Sequence, residues 1–110
     1  NTLALLEQGI TAFAFSSGMA ASMALFQTLQ SGDHVLLPDD TYYSTEALAM
    51  DLFGKWGLKT SKVDMSDLQA LKAALQPNTK LIWVETPSNP QLKISDIHAI
   101  AKIAKEIGAI

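Results

Sequence analysis

The sequence predicts an α/β fold, a mainly parallel sheet with flanking helices. Two short apolar runs, His34-Val35-Leu36-Leu37 before Pro38 and Lys80-Leu81-Ile82-Trp83-Val84, read as strands buried on both faces. Other segments place apolar residues at helical spacing, among them Leu68, Leu71 and Leu75, and then Ile97, Ile100, Ile103/Ala104 and Ile107. Strands that alternate with helices over short connections call for right-handed crossovers and parallel pairing.

The elements follow in order. Residues 3–8 read as the end of a helix closed by Gly9. Ile10-Thr11-Ala12-Phe13-Ala14-Phe15 reads as a short buried strand or its approach. The small-residue turn Ser16-Ser17-Gly18 leads into a helix over about residues 19–30, rich in helix formers, and Ser31-Gly32 close it. After the His34 strand, Asp39-Asp40-Thr41 is polar loop running into Tyr42-Tyr43. A helix over roughly 44–53 follows, with Leu48, Leu52 and Phe53 on its apolar side and Gly54 and Gly57 breaking it. Lys59 to Val63 alternates weakly, as an outer strand does. Ser66-Asp67-Leu68-Gln69 fits a capping box in which the Ser oxygen and the Gln side chain each meet an orphan amide. The helix that it opens ends before Pro77. Asp96 to Ile107 is the last helix, and Gly108 caps it.

In a parallel sheet, ligands gather at the carboxyl ends of the strands. Three loops follow strand-like runs here: the Ser-Gly turn, residues 39–43, and residues 85–90. The first of these is an anion site in outline. The first helical turn leaves amides unpaired, the helix dipole adds about half a positive charge there, and Gly18 lets a ligand approach the backbone. Ser16, Ser17 and Ser22 can add hydroxyls. Plain alternatives exist for each residue: many helices simply begin Ser-Gly, Met19 suits a core gap, loop tyrosines suit a surface, and Asn89 before Pro90 suits a turn. Thr86-Pro87 and Asn89-Pro90 are candidate cis bonds. His34 and His98 have no partners at metal-ligand spacing and read as ordinary sheet-edge and helix residues. Trp83 reads as core, and Asp39 and Asp40 as solvated loop carboxylates bonded to nearby backbone.

Composition excludes several classes. The net charge of −3 over 110 residues offers no basic footprint for nucleic acid. The basic residues number 8 and all are lysines, so no bidentate guanidinium clamp on a carboxylate is available from this chain. Zero cysteines leave no disulfide framework or thiolate metal site and fit a reducing cytoplasm. No apolar run approaches the roughly 20 residues of a membrane span. The chain begins at Asn1 without Met and ends where a strand is due after Gly108, which reads as an internal fragment of a longer protein.

Ser-Ser-Gly-Met-Ala-Ala at 16–21, Asp-Asp-Thr-Tyr-Tyr-Ser-Thr at 39–45, Pro-Asn-Thr-Lys-Leu at 77–81 and Glu-Thr-Pro-Ser-Asn-Pro at 85–90 occur in an order and spacing that resembles one family. It is the Cys/Met-metabolism, or trans-sulfuration, family of pyridoxal-phosphate enzymes: cystathionine synthases and lyases, methionine γ-lyase and homoserine-ester sulfhydrylases. The resemblance covers essentially the whole chain. It implies a piece of the large cofactor-binding domain of the aspartate-aminotransferase-like fold, with pyridoxal 5'-phosphate as cofactor. It also implies roles: Gly18 and Met19 amides on the cofactor phosphate, Tyr42 stacked on the pyridine ring and helping to move protons, and Asn89 on the phenolic oxygen. Glu85 takes a supporting role only. The implied chemistry is elimination or replacement at Cβ or Cγ of a sulfur amino acid or homoserine ester, in a homo-oligomer built as a dimer of dimers.

Two departures stand out. The family usually has a small residue where Tyr43 stands, and methionine γ-lyases usually have Cys where Ser44 stands, which leans away from that member. In the family the Schiff-base lysine, the aspartate on the pyridine nitrogen and the substrate-carboxylate arginine lie downstream of residue 110, and a Tyr-x-Arg pair lies upstream of residue 1. None of the lysines here sits in a motif matching the Schiff-base lysine, so the chain alone is expected to be inactive. The rival reading is a nucleotide-binding or flavodoxin-like module without covalent chemistry. It is favoured by Asp40, 22 positions beyond Gly18, near the ~20-residue spacing of dinucleotide folds. One glycine where that fingerprint wants three counts against it.

Overall fold

A computed structural model describes all residues, 1–110. Its frame is a three-stranded parallel sheet of β1 (His34–Pro38), β2 (Lys59–Val63) and β3 (Thr79–Ile82), in the order β2-β1-β3. β1 is central, pairing Val35 with Thr60 on one side and with Leu81 on the other. Every residue of β1 is buried, as a central parallel strand covered on both faces must be.

The period-2 pleat of β1 splits the core into two halves. Val35 and Leu37 point into one cluster with Phe26, Leu48, Ala49, Phe53, Leu58 and Leu81. Leu36 points the other way, to Met65, Leu71, Ile82, Ile100, Ile103 and Ala104. The helices divide accordingly. α2 (Gly18–Phe26) and the turns at 48–53 that continue α3 (Tyr43–Ala47) feed the first cluster, while α4 (Leu68–Ala74) and α5 (Ile97–Ile107) cover the second. A short α1 (Thr2–Leu6) precedes them. The expected α/β class with parallel strands is the observed one.

Several local expectations are corrected. Ile10–Phe15 forms no strand, and Ile10, Phe13 and Phe15 are exposed, because no strand edge in the chain lies beside them. α1 ends at a Glu7 cap, with Gln8 rather than Gly9 taking positive φ. α2 stops at Gln27, and residues to Leu29 tighten into i→i−3 turns before Gly32 at φ 92°. The helix after Tyr42 is continuous only to Ala47. It widens into a π turn at Leu48–Leu52 and tightens into a 3-10 turn at Phe53–Trp56, and Gly57 at φ 98° closes it. Leu48 and Phe53 are buried as expected, but this change of pitch turns Leu52 outward. Gly54 does not break the run.

The capping box is displaced by one residue. Asp67, not Ser66, is the N-cap of α4, its carboxylate accepting from the amides of Gln69 at 2.9 Å and Ala70 at 3.1 Å. Ser66 instead donates its hydroxyl to Asp64 at 2.6 Å. An ionised carboxylate outcompetes a hydroxyl for two amides at once. α5 has the expected ends, Asp96 accepting from Ala99 and Gly108 in the left-handed region, although Ile97 and Ile107 stay exposed at its tips.

His34 is not at a sheet edge. It is fully buried in the central strand, where its ring shares hydrogen bonds with Thr79 Oγ1 at 2.8 Å and Ser61 Oγ at 2.9 Å, one from each neighbouring strand. Burial pushes its pKa below the ordinary histidine value. A neutral imidazole has one donor and one acceptor, and two hydroxyls can satisfy both.

Candidate functional site

The carboxyl ends of the three strands are joined by two polar ties. The first is Lys93, in the segment after β3. Its ammonium bonds Asp39, just past β1, at 3.0 and 3.1 Å, and Asp64, just past β2, at 3.3 Å. The Asp39 contact chiefly raises the lysine pKa. The Ser66 hydroxyl chiefly lowers that of Asp64, with Lys93 adding to the effect. Asp39 therefore has an ion-pair partner that its sequence context does not announce. Asp40 has none: its Oδ2 is buried without a hydrogen-bond donor, so neither carboxylate is bonded to nearby backbone as expected.

The second tie is Glu85. Its Oε1 accepts the Thr41 hydroxyl at 2.7 Å and the Trp83 indole N–H at 2.9 Å, and its Oε2 accepts the Tyr42 amide at 3.0 Å. Three donors from two segments thus converge on one carboxylate. Trp83 is half-buried and packs at 5.8 Å from the Phe26 ring, which itself stacks at 5.5 Å on Phe53. The carboxylate is anchored through Trp83 to the core.

Tyr42 stands at the N-cap of α3 and is 55% exposed, its backbone amide held while the side chain stays open. Tyr43 is more exposed and borders a shallow concavity with Glu46, Ala47, Met50 and Asp51. Asn89 is exposed at the turn of residues 86–95, between the cis bonds Thr86–Pro87 and Asn89–Pro90. That turn is held from inside: the Ser88 amide donates to the Lys93 carbonyl at 3.0 Å, its carbonyl accepts the Leu92 amide at 2.9 Å, and its hydroxyl accepts the Lys93 amide at 3.0 Å.

At the start of α2, Ser17 caps the helix by accepting the Ala20 amide at 3.1 Å. The amides of Gly18 and Met19 have no acceptor in the chain, and a Cβ on Gly18 would meet nothing within 4 Å. This is a bare, open donor pair of the kind that suits a multivalent anion. Met19 is also partly buried against the Phe26 core, so its backbone can serve a ligand while its side chain fills the gap expected of methionine. Ser22 is corrected: its hydroxyl donates to the Gly18 carbonyl at 3.0 Å and does not face the opening. Gly18, Met19 and Asn89 make no hydrogen bond to Tyr42; the structure directly joins Tyr42 to Glu85 alone among these residues. Sequence reasoning missed Lys93 altogether and undervalued Glu85. The position of Glu85 right after a buried strand was the one available signal.

No group of three or more His, Asp or Glu side chains is placed to hold a metal ion, and no helix is long and apolar enough to cross a membrane.

Comparison with known proteins shows the family and the fold. The family described as Cys/Met metabolism PLP-dependent enzyme matches residues 1–110. Cystathionine β-lyase MetC of Bacillus subtilis is 45% identical over 109 residues, covering 99% of this chain and 28% of that protein. Cystathionine γ-synthase of Mycobacterium leprae is 49% identical over 106 residues, covering 96% of this chain and 27% of that protein. The crystal structure of cystathionine γ-lyase from Lactobacillus plantarum complexed with L-serine superposes with a TM-score of 0.93 at 42% identity, over 98% of this chain and 28% of that one. The chain spans little more than a quarter of the length of these relatives. It belongs to the Cys/Met-metabolism family of pyridoxal-phosphate-dependent enzymes.

Proposed function

We propose that this chain is an internal part of the pyridoxal-phosphate-binding large domain of a trans-sulfuration enzyme. The whole protein would eliminate or replace a group at Cβ or Cγ of a sulfur amino acid or homoserine ester. The relatives carry β-lyase, γ-lyase and γ-synthase names at similar identity, so the proposal is the shared chemistry and not one of them. The rest of the protein would supply the N-terminal arm, the cofactor-bearing lysine and the small domain, in a dimer of dimers.

The residues present fit the cofactor. The open amides of Gly18 and Met19 would hold its phosphate, with the Ser17 hydroxyl free to donate beside them. The chain has no arginine, so no guanidinium from it adds to these backbone amides and the helix dipole. The exposed ring of Tyr42 would lie against the pyridine, and the Asn89 carboxamide, which has no partner within the chain, would donate to the phenolic oxygen. When bound, the pyridinium supplies an electron sink for a carbanion at the substrate α-carbon. The Tyr42 hydroxyl makes no hydrogen bond within the chain and can hold or pass a proton at the open edge of the sheet.

The observation that carries this reading is the open amide pair of Gly18 and Met19 in a chain whose family uses a phosphorylated cofactor. The test is on the full-length protein carrying these residues. Added pyridoxal phosphate should give a visible absorbance band, and borohydride should abolish it while fixing the cofactor to a lysine. A folded protein that shows no band overturns the proposal.

A further inference from the structure

We infer that Glu85 is a positioning residue for Tyr42, acting through the Tyr42 backbone and never touching the cofactor. The inference rests on the proposed role of Tyr42 as the stacking ring.

The argument starts from what Tyr42 lacks. Its hydroxyl is unbonded, the residue is 55% exposed, and its side chain makes no cap bond to α3. Nothing attached to the ring holds the ring. Its place is set by its Cα, and the amide of that residue is held by Glu85 at 3.0 Å. Thr41, one residue earlier, is buried and donates to the same carboxylate at 2.7 Å. Tyr42 and the residue before it are therefore pinned to one group, 43 and 44 positions away in sequence. Glu85 is pinned in turn by Trp83 at 2.9 Å, whose ring is packed on Phe26. The chain of contacts runs from the core through the indole and carboxylate to the backbone beneath the Tyr42 ring.

The chemistry specifies a carboxylate. Three donors meet at one side chain, and an ionised carboxylate is acceptor-only, with about four lone-pair sites. A glutamine at this position has the same shape but presents an NH2 to one of the donors, so at least one bond becomes a clash of two donors. An aspartate is one methylene short. No cation lies against Glu85; its bonds are all to Thr41, Tyr42 and Trp83, so its role is to fix geometry and not to balance a charge.

The experiment is a double-mutant cycle in the full-length protein carrying these residues: unmodified, Glu85→Gln, Tyr42→Ala, and both. Two quantities are read, the dissociation constant for pyridoxal phosphate in titrations of the apoprotein and the visible circular dichroism of the bound cofactor. Loss of one charge-assisted bond predicts that Glu85→Gln weakens binding roughly tenfold and alters the dichroism. In the Tyr42→Ala background the same change should have no further effect on either. An undiminished effect of Glu85→Gln without the Tyr42 ring overturns the inference, as does an unaltered affinity and dichroism in the single variant. Tyr42→Ala with unaltered affinity and dichroism overturns the stacking role beneath it, a distinct failure. If Glu85→Gln does not fold, Thr41→Val removes one donor and keeps the shape. It should show the same dependence on Tyr42 at smaller size, and equal effects with and without the ring refute the inference.

Discussion

Replacing Phe26 with alanine would remove the ring on which one half of the core and the candidate site both lean. Phe26 has no exposed surface, stacks on Phe53 at 5.5 Å, and meets Trp83 at 5.8 Å. A fully buried Phe→Ala change costs about 3–5 kcal/mol, including roughly 0.5–1.5 kcal/mol for each lost aromatic pair. The first cluster is built from both helix and sheet residues, so the loss should be shared by the strands. At about 1.36 kcal/mol per tenfold, the amides of His34 and Trp83 should exchange with solvent roughly 10² to 10³ times faster or more. These two amides are informative because each bonds across the sheet, to Asn78 at 2.8 Å and to Leu36 at 2.9 Å. The assay is hydrogen exchange of the full-length protein read peptide by peptide, with Phe26→Leu as a milder control. Exchange of both amides within about tenfold of the unmodified protein would refute the reasoning, since the site would then rest on something other than this ring.

Other expectations follow from single contacts. His34 is buried neutral and its pKa is lowered, so the unfolded chain takes up a proton first as pH falls below about 6.5. Its contribution is present above that value and lost as pH falls through the folded pKa, so denaturant midpoints should drop from pH 7 to pH 5, and His34→Gln should flatten that slope. Asp67→Ala should cost about 1 kcal/mol in a denaturant midpoint series and Ser66→Ala clearly less, because Asp67 caps α4. Equal costs would restore the serine as the cap. Gly57→Ala should lower the melting temperature, since the residue lies at φ 98° and its Cβ would collide with the Ser31 side chain. Gly18→Ala, with open space before it, should leave the melting temperature unchanged and weaken pyridoxal phosphate binding by at least about tenfold in a titration. Unchanged affinity there would argue against phosphate at that turn.

Read as a string of residues, the chain already determines its class and most of its elements. The runs around Val35 and Leu81 are too short and too apolar for amphipathic helices, and Leu68, Leu71 and Ile100, Ile103 recur at a helix period, so a parallel sheet with helical crossovers follows from local pattern. The motifs around Gly18, Tyr42 and Asn89 are also legible, because each is contiguous and lies where a helix begins or past the end of a strand. What the tertiary structure decides are relations between distant residues. Ile10–Phe15 is apolar enough for a strand, but strand formation needs a partner edge, and pairing is not a local property. Whether Ser66 or Asp67 caps α4 depends on which oxygen reaches two amides, a matter of ångströms that the shared capping pattern leaves open. Glu85 looks like one more charged loop residue until the fold brings Thr41, Tyr42 and Trp83 around it. Local sequence sets periodicity and turns, because those depend on neighbours along the chain. The convergence of three donors on one carboxylate depends on neighbours in space, which exist only after the sheet has formed.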